Sequence, residues 1–141
     1  MTLKPRQDAY PIDALLPELC NRFQPGRTLL LQAPPGAGKT TRVPLALIGA
    51  LGDEIRRDGR IWMIEPRRLA ARAAAARLAA SLEEAVGQRI GFAVRGEQRR
   101  SARTQVEVIT DGLFLRRLQA DPSLDGVSCV LFDEFHERRR D

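Results

Sequence analysis

The stretch Leu29-Leu30-Leu31-Gln32-Ala33-Pro34-Pro35-Gly36-Ala37-Gly38-Lys39-Thr40-Thr41 decides the fold. The apolar run at 29–31 predicts a buried strand, a Gly/Pro loop follows it, and residues 43–51 have helix-forming character. A phosphate-binding loop needs this order. Glycines let successive backbone N–H groups curl around an anion, and the helix N-terminus adds partial positive charge. Lys39 is placed to reach the β- and γ-phosphates of a nucleotide, and the Thr40 hydroxyl to ligate Mg²⁺. The expected nucleotide-binding set is Pro35, Gly36, Ala37, Gly38, Lys39, Thr40 and Thr41. Ala33 stands where the usual G-x-x-x-x-G-K-[ST] pattern has its first glycine. Gly36 and Gly38 keep the tight part of the loop, where the amides must approach phosphate closely.

A length of 141 residues suffices for one domain with a genuine core, but not for two. No apolar run approaches the length of a membrane span, so a soluble protein without membrane association is expected. The N-terminus lacks the apolar core of a signal peptide, which points to the cytoplasm. Cys20 and Cys129 lie far apart in apolar contexts and are expected as free buried thiols. The net charge of +5 is a weak pointer to a polyanionic partner. Of 23 basic residues, only Lys4 and Lys39 are lysine. One of these two occupies the loop position where lysine is chemically required.

Outward from the loop, residues 1–11 read as a loose terminus and residues 12–23 as an amphipathic helix. Pro44 falls inside the helix after the loop and predicts a kink or local unwinding. Residues 52–60 read as a charged loop and 61–64 as a short strand ended by Pro66. An Ala-rich helix is expected over about 67–86, facing the sheet through Leu69, Ala73, Ala76 and Ala80, with Gly87 as its stop. Residues 90–94 and 105–109 read as strands flanking a polar loop, 95–103. Asp111 is the expected N-cap of a helix through Gln119, and residues 127–132 form a continuous apolar strand. Five strands alternating with helices predict an α/β fold, a mostly parallel sheet covered on both faces.

The second chemical constellation is Val130-Leu131-Phe132-Asp133-Glu134-Phe135-His136-Glu137-Arg138. Acids directly after a buried strand lie at the carboxyl edge of the sheet, where the phosphate loop also lies. There Asp133 can hold Mg²⁺ opposite Thr40, and Glu134 can polarise an attacking water. Lys39, Asp133 and Glu134 are thus the candidate catalytic residues. His136 is the sole histidine. A role in coupling the nucleotide site to a neighbouring domain suits it better than metal binding. Two other strand-to-helix junctions carry Arg67-Arg68 and Thr110-Asp111-Gly112. Such donors suit a sugar-phosphate backbone without reading bases. From residue type alone, solvated arginines and a capped helix explain them more readily.

Taken together, Ala33 to Thr41, Pro66 to Arg72, Thr110 to Gly112 and Asp133 to Arg138 resemble motifs I, Ia, Ib and II of a superfamily 2 helicase. The Asp-Glu-x-His form is similar to the DEAH/RHA type. Phe135 departs from that family's usual Ala and resembles the bacterial HrpB branch, as do residues 32–39 and 65–72. The resemblance runs from about Tyr10 to Arg139. It implies that residues 12–141 are the first of two RecA-like P-loop NTPase domains of an ATP-dependent RNA helicase. ATP or another nucleoside triphosphate and Mg²⁺ are the implied cofactors, RNA the implied partner with DNA as a second candidate, and a monomer the implied state. Arg67, Arg68, Thr110, Asp111 and Gly112 then match the region that grips the nucleic-acid backbone. Arg72 or Arg77 is a candidate to lie beside the nucleotide base.

No Ser-Ala-Thr motif, second RecA-like domain or arginine finger occurs in the sequence. Since such a finger contributes about 10³–10⁵ in turnover, weak or undetectable hydrolysis is expected of this stretch by itself. A truncated sheet, short of its last strand, is likewise expected. Two other function classes fit parts of the pattern: a nucleic-acid binding module with a vestigial phosphate loop, and a small-molecule P-loop kinase. Salt-sensitive RNA binding indifferent to nucleotide marks the first, and phosphoryl transfer to a nucleoside or sugar the second.

Overall fold

The computed structural model describes residues 11–22, 26, 28–29, 31, 38–57 and 60–133. Among them five strands form one sheet, β1 (Arg60–Glu65), β2 (Ile90–Val94), β3 (Glu97–Arg99), β4 (Val106–Thr110) and β5 (Val127–Phe132). Their order is β3-β2-β4-β1-β5. The β2–β4, β4–β1 and β1–β5 pairs are parallel, and β3 alone runs antiparallel, against β2. The helices are α1 (Leu16–Arg22, after a 3-10 turn at Pro11–Leu15), α2 (Lys39–Arg57), α3 (Arg68–Ser81) and α4 (Asp111–Ala120).

Strand alternation divides the apolar residues between two faces. Ile61, Met63, Val106, Val108, Ile90, Phe92 and Cys129 face one side, packed with Val43 and Leu47 of α2 and the Ala-rich side of α3. Trp62, Ile64, Ala93 and Ile109 face the other, where Phe114 of α4 meets them. The Trp62–Phe114 and Phe114–Phe132 ring pairs are edge-to-face, with centroids 6.2 and 5.4 Å apart. Helices therefore cover both faces, as the α/β pattern predicts.

The structure corrects several local expectations. Leu29 and Leu31 are not in a strand, while Leu30 lies outside the described residues. The fifth strand is instead β3, inside the stretch read as a polar loop. It forms because Val94 and Glu97 pair across a two-residue turn whose Gly96 has φ +85°, a conformation glycine adopts without strain. Residues 52–57 extend α2 rather than forming a loop, since one glycine costs a helix only about 1 kcal/mol. Pro44 is buried inside α2, which remains helical through it, so the expected unwinding does not occur.

The helix α3 faces the sheet through Ala71, Ala74, Ala75, Leu78 and Ala79, not through the stripe begun by Leu69, which is 77% exposed. It also stops earlier than expected. Glu84 N–H donates to Ala79 O and Glu83 N–H to Ala80 O, both at 3.0 Å. These are the paired bonds of a Schellman ending, with Glu83 at φ 56° in the position glycine usually takes. Residues 1–10 of the expected loose terminus lie outside the described residues, and Pro11 already belongs to the 3-10 turn.

On the α4 face, Glu107 is fully buried among three guanidinium groups. Arg117 bonds both its oxygens at 3.2 Å, Arg100 approaches to 3.3 Å, and Arg60 to 3.7 Å. Arg117 also stacks over the Trp62 ring, 4.9 Å from its centroid. A buried carboxylate is tolerable only when so compensated. Both cysteines are free thiols; Cys129 is buried, and that burial pushes its thiol up to about 11, whereas Cys20 is only partly buried.

Two stability outcomes follow from this packing. A Cβ on Gly91 would lie 2.5 Å from the Arg99 carbonyl oxygen, which is backbone and cannot swing aside. Gly91→Ala should therefore cost about 1–3 kcal/mol, read as a lower urea midpoint. Glu107→Ala strands three guanidinium groups, whose side chains are 28%, 37% and 21% exposed for Arg60, Arg100 and Arg117. Because water reaches them in part, the loss should fall at the lower end of the buried-pair range, about 3 kcal/mol, in the same denaturation experiment.

Candidate functional site

Parallel pairing sends the carboxyl ends of β2, β4, β1 and β5 to one edge of the sheet. The chain turns there into α3 after β1 and into α4 after β4, while Asp133 directly follows β5. Asp133 N–H donates to the Ile64 carbonyl at 3.2 Å, holding the residue against the end of β1. Its side chain meets α2. The Thr40 hydroxyl donates to the Asp133 carboxylate at 2.9 Å, joining residues 93 positions apart.

Thr40 reaches this point because α2 begins at Lys39. Gly38 has φ +98°, a left-handed conformation favouring glycine, and its carbonyl accepts the Arg42 N–H at 2.8 Å. The N–H groups of Gly38, Lys39, Thr40 and Thr41 therefore lie ahead of the first intrahelical bond. These amides, together with the helix dipole and the Lys39 side chain, make an anion-attracting end. Arg42 anchors the same turn to the 3-10 segment, its Nε 3.5 Å from Asp13. The hydroxyl and carboxylate of Thr40 and Asp133 are hard oxygen donors, the ligand chemistry Mg²⁺ takes in phosphate sites.

Pro35, Gly36, Ala37, Glu134 and His136 lie outside the described residues. Of the candidate residues, Thr40 and Asp133 are brought into contact, with Gly38, Lys39 and Thr41 flanking Thr40 at the start of α2. The other candidate positions line the next two strand ends. Arg67 and Arg68 are both exposed, where β1 passes into α3. Arg67 caps α3 only through backbone, its carbonyl accepting Ala71 N–H at 2.9 Å, and among the described residues no side chain bonds the first amides. Register pairs Glu65 with Thr110, so Thr110-Asp111-Gly112 stands beside this junction.

The capping of α4 differs from expectation. Thr110, not Asp111, is the N-cap, accepting Leu113 N–H at 3.4 Å, while Asp111 accepts Gly112 N–H at 2.7 Å. Thr110 wins because it is the last residue of β4 and so retains the extended conformation an N-cap needs. Its side chain is buried, and Gly112 is exposed. Arg72 bonds Glu97 and lies over the Phe92 ring, tying α3 to the β2–β3 hairpin. Sequence reading missed Arg95, which is exposed at the carboxyl end of β2 on this same edge. The signal was Gly96, a turn residue two positions beyond the apolar run.

Residues 15–141 match the sequence profile of the DEAD/DEAH box helicase family, and the chain belongs to that family. Over 130 residues it is 44% identical to the ATP-dependent RNA helicase HrpB of Escherichia coli (strain K12), a stretch covering 92% of this chain and 16% of that protein. It is 34% identical over 137 residues to the DExH-box ATP-dependent RNA helicase DExH1 of Arabidopsis thaliana, covering 96% of this chain and 14% of that one. The crystal structure of E. coli DExH-box NTPase HrpB superposes with a TM-score of 0.84 at 41% identity, over 99% of this chain and 16% of that chain. The chain thus spans well under a fifth of the length of these relatives. Among the described residues, no helix is long and apolar enough to cross a membrane.

The α4 cap gives a direct check on the role of Thr110. Thr110→Ala should lower stability by about 1 kcal/mol and Thr110→Ser by almost nothing, compared by urea denaturation. Equal losses for both would show that packing, not the hydroxyl, sets the start of α4.

Proposed function

We propose that this chain is the nucleotide-binding part of an ATP-dependent RNA helicase, taking Mg-ATP at the start of α2 and a nucleic-acid backbone along the neighbouring strand ends. The observation that carries the reading is the 2.9 Å contact between Thr40 and Asp133. Two oxygen ligands far apart in sequence meet at the mouth of a helix N-terminus. Little in such a chain favours that meeting except a divalent cation and a phosphate group to be held between them.

In this reading Lys39 pairs with the β- and γ-phosphates, and the free amides of Gly38, Lys39, Thr40 and Thr41 donate to the remaining phosphate oxygens. Thr40 and Asp133 would hold Mg²⁺, which would supply neutralisation of the phosphate charge. Glu134 orients the attacking water, and His136 links the site to a neighbouring domain. The uncapped first turn of α3, with Arg67 and Arg68, and the exposed Gly112 at the head of α4 offer donors to consecutive backbone phosphates. Arg95 extends that row by one strand. Because these contacts avoid base edges, binding should depend on salt more than on sequence. A monomer acting in the cytoplasm accords with the reading.

Lys39→Ala tests it. A hydrogen bond to a charged group is worth about 1.5–3 kcal/mol, so the Kd for Mg-ATP should rise roughly ten- to a hundredfold. Calorimetric titration reads this directly. Wild-type affinity in the variant would remove the nucleotide from this site.

A further inference from the structure

The α4 face of the sheet carries a second concentration of charge, away from the nucleotide-binding end. Glu107 of β4 is fully buried there, and three guanidinium groups converge on it. The backbone builds this convergence. Residues 99 and 100 cross close over β2 at Gly91, where a Cβ would lie 2.5 Å from the Arg99 carbonyl oxygen and 3.2 Å from the Arg100 Cα. Arg100 is thereby carried over the sheet, and its Nη1 donates to the two Glu107 oxygens at 3.4 and 3.3 Å. Arg60, at the start of β1, brings its Nη1 to 3.7 Å from the same carboxylate, while its Nη2 donates to the Ser101 carbonyl at 3.0 Å. Arg117 arrives from α4 and bonds both oxygens at 3.2 Å.

Arg117 alone occupies both carboxylate oxygens, in the parallel fork a guanidinium makes on a carboxylate. Arg60 and Arg100 stand further off. Among the described residues no other carboxylate lies within ion-pair distance of the three, so three guanidinium groups less one carboxylate leave a surplus of two positive charges. None of their nitrogens is buried without a hydrogen-bond partner, so the unused N–H groups reach water. The Arg60 and Arg100 side chains are 28% and 37% exposed above the buried Glu107. We propose that Arg60 and Arg100, backed by Arg117 and Glu107, form an oxyanion site for a phosphate-class dianion. Charge selects the class: a phosphate group carries about −1.5 to −2 near neutral pH, matching the surplus. Guanidinium forks match its oxygens, and recessed donors on two neighbouring stems suit one small group rather than an extended chain. Free phosphate and a small phosphate monoester offer the same chemistry. The site stands apart from the nucleotide-binding end. Four residues of β1 separate Arg60 from Ile64, whose carbonyl holds Asp133, a distance of about 13 Å along the strand. A bound dianion would bridge the segment after β3 to the start of β1.

The test follows the Nε–H signals of Arg60 and Arg100 in the full chain by NMR, as inorganic phosphate replaces chloride at constant ionic strength. Arg60→Lys and Arg100→Lys assign the two signals by their disappearance. In the wild type both should move along one saturating curve. Lys39→Ala, which alters the distant anion-attracting end, should leave that curve within about twofold. Arg100→Ala should weaken phosphate binding, read at Arg60, by about tenfold, the effect of one hydrogen bond to a charged group. Glu107→Gln keeps an acceptor for Arg117 and removes the competing negative charge, so phosphate should bind at least about tenfold more tightly. A cluster that served only to pack α4 would show no such gain. O-phosphoserine binding as well as phosphate would place a carried monoester in the site, whereas binding of inorganic phosphate alone would place the free ion there. If the wild-type signals move linearly and equally with chloride and phosphate, the proposal falls, and that titration needs no variant to fold. An oligouridylate that moves both signals where phosphate does not would assign the arginines to a nucleic-acid backbone and likewise overturn it.

Discussion

Everything at the candidate site depends on the parallel pairing of β1 with its two neighbours. Because β4, β1 and β5 run the same way, their three carboxyl ends emerge together. A change in register by one residue would turn each strand's side chains to the opposite face. Asp133 would then no longer face Thr40, and the Glu65–Thr110 pairing that sets α3 beside α4 would be lost. The register is secured by the core rather than by the site. Ile61, Met63, Val106 and Val108 must point toward α2 and α3, so Trp62, Ile64 and Ile109 must point toward α4.

The two faces are stabilised by different means. Two helices, α2 and α3, meet the face opposite α4, with aliphatic side chains and alanine methyls filling the space. The other face has one ten-residue helix, and arginine stems and a buried carboxylate complete its cover around Trp62. Arginine suits this task because its guanidinium forks onto Glu107 and lies flat on the indole while its methylenes cover apolar surface. The arrangement leaves surplus positive charge near the surface, since one carboxylate faces three guanidinium groups.

The central features of this architecture were legible in the sequence because they are continuous or locally patterned. Residues 61–64, 90–94 and 127–132 are apolar runs, and the Gly38-Lys39-Thr40 and Asp133 positions carry chemistry at recognisable strand and helix boundaries. What escaped depends on partners remote in sequence or on backbone geometry. Glu97 to Arg99 has no apolar pattern and becomes a strand only because β2 offers its edge. The α3 face was misjudged because alanine is compatible with any side of a helix, leaving Leu69 to mislead. The α3 ending went unseen because Glu83, rather than the later Gly87, takes the left-handed position. Asp111 and Thr110 are both good caps, and only the end of β4 decides between them.

The alanine face of α3 has a mechanical consequence. Large side chains key a helix to a sheet by lodging ridges in grooves, so that sliding would require several of them to unlock together. Here Ala71, Ala74, Ala75 and Ala79 present a shallow relief, and Leu78 is the single large tooth among the buried residues of the helix. Small displacements along such a smooth contact cost little, the condition for shear between packed layers. The arginines at the head of α3 would travel with the helix, while the ion pair from Arg72 to Glu97 of β3 would limit how far it slides. Layer sliding of this kind would carry a change at one strand end toward the next.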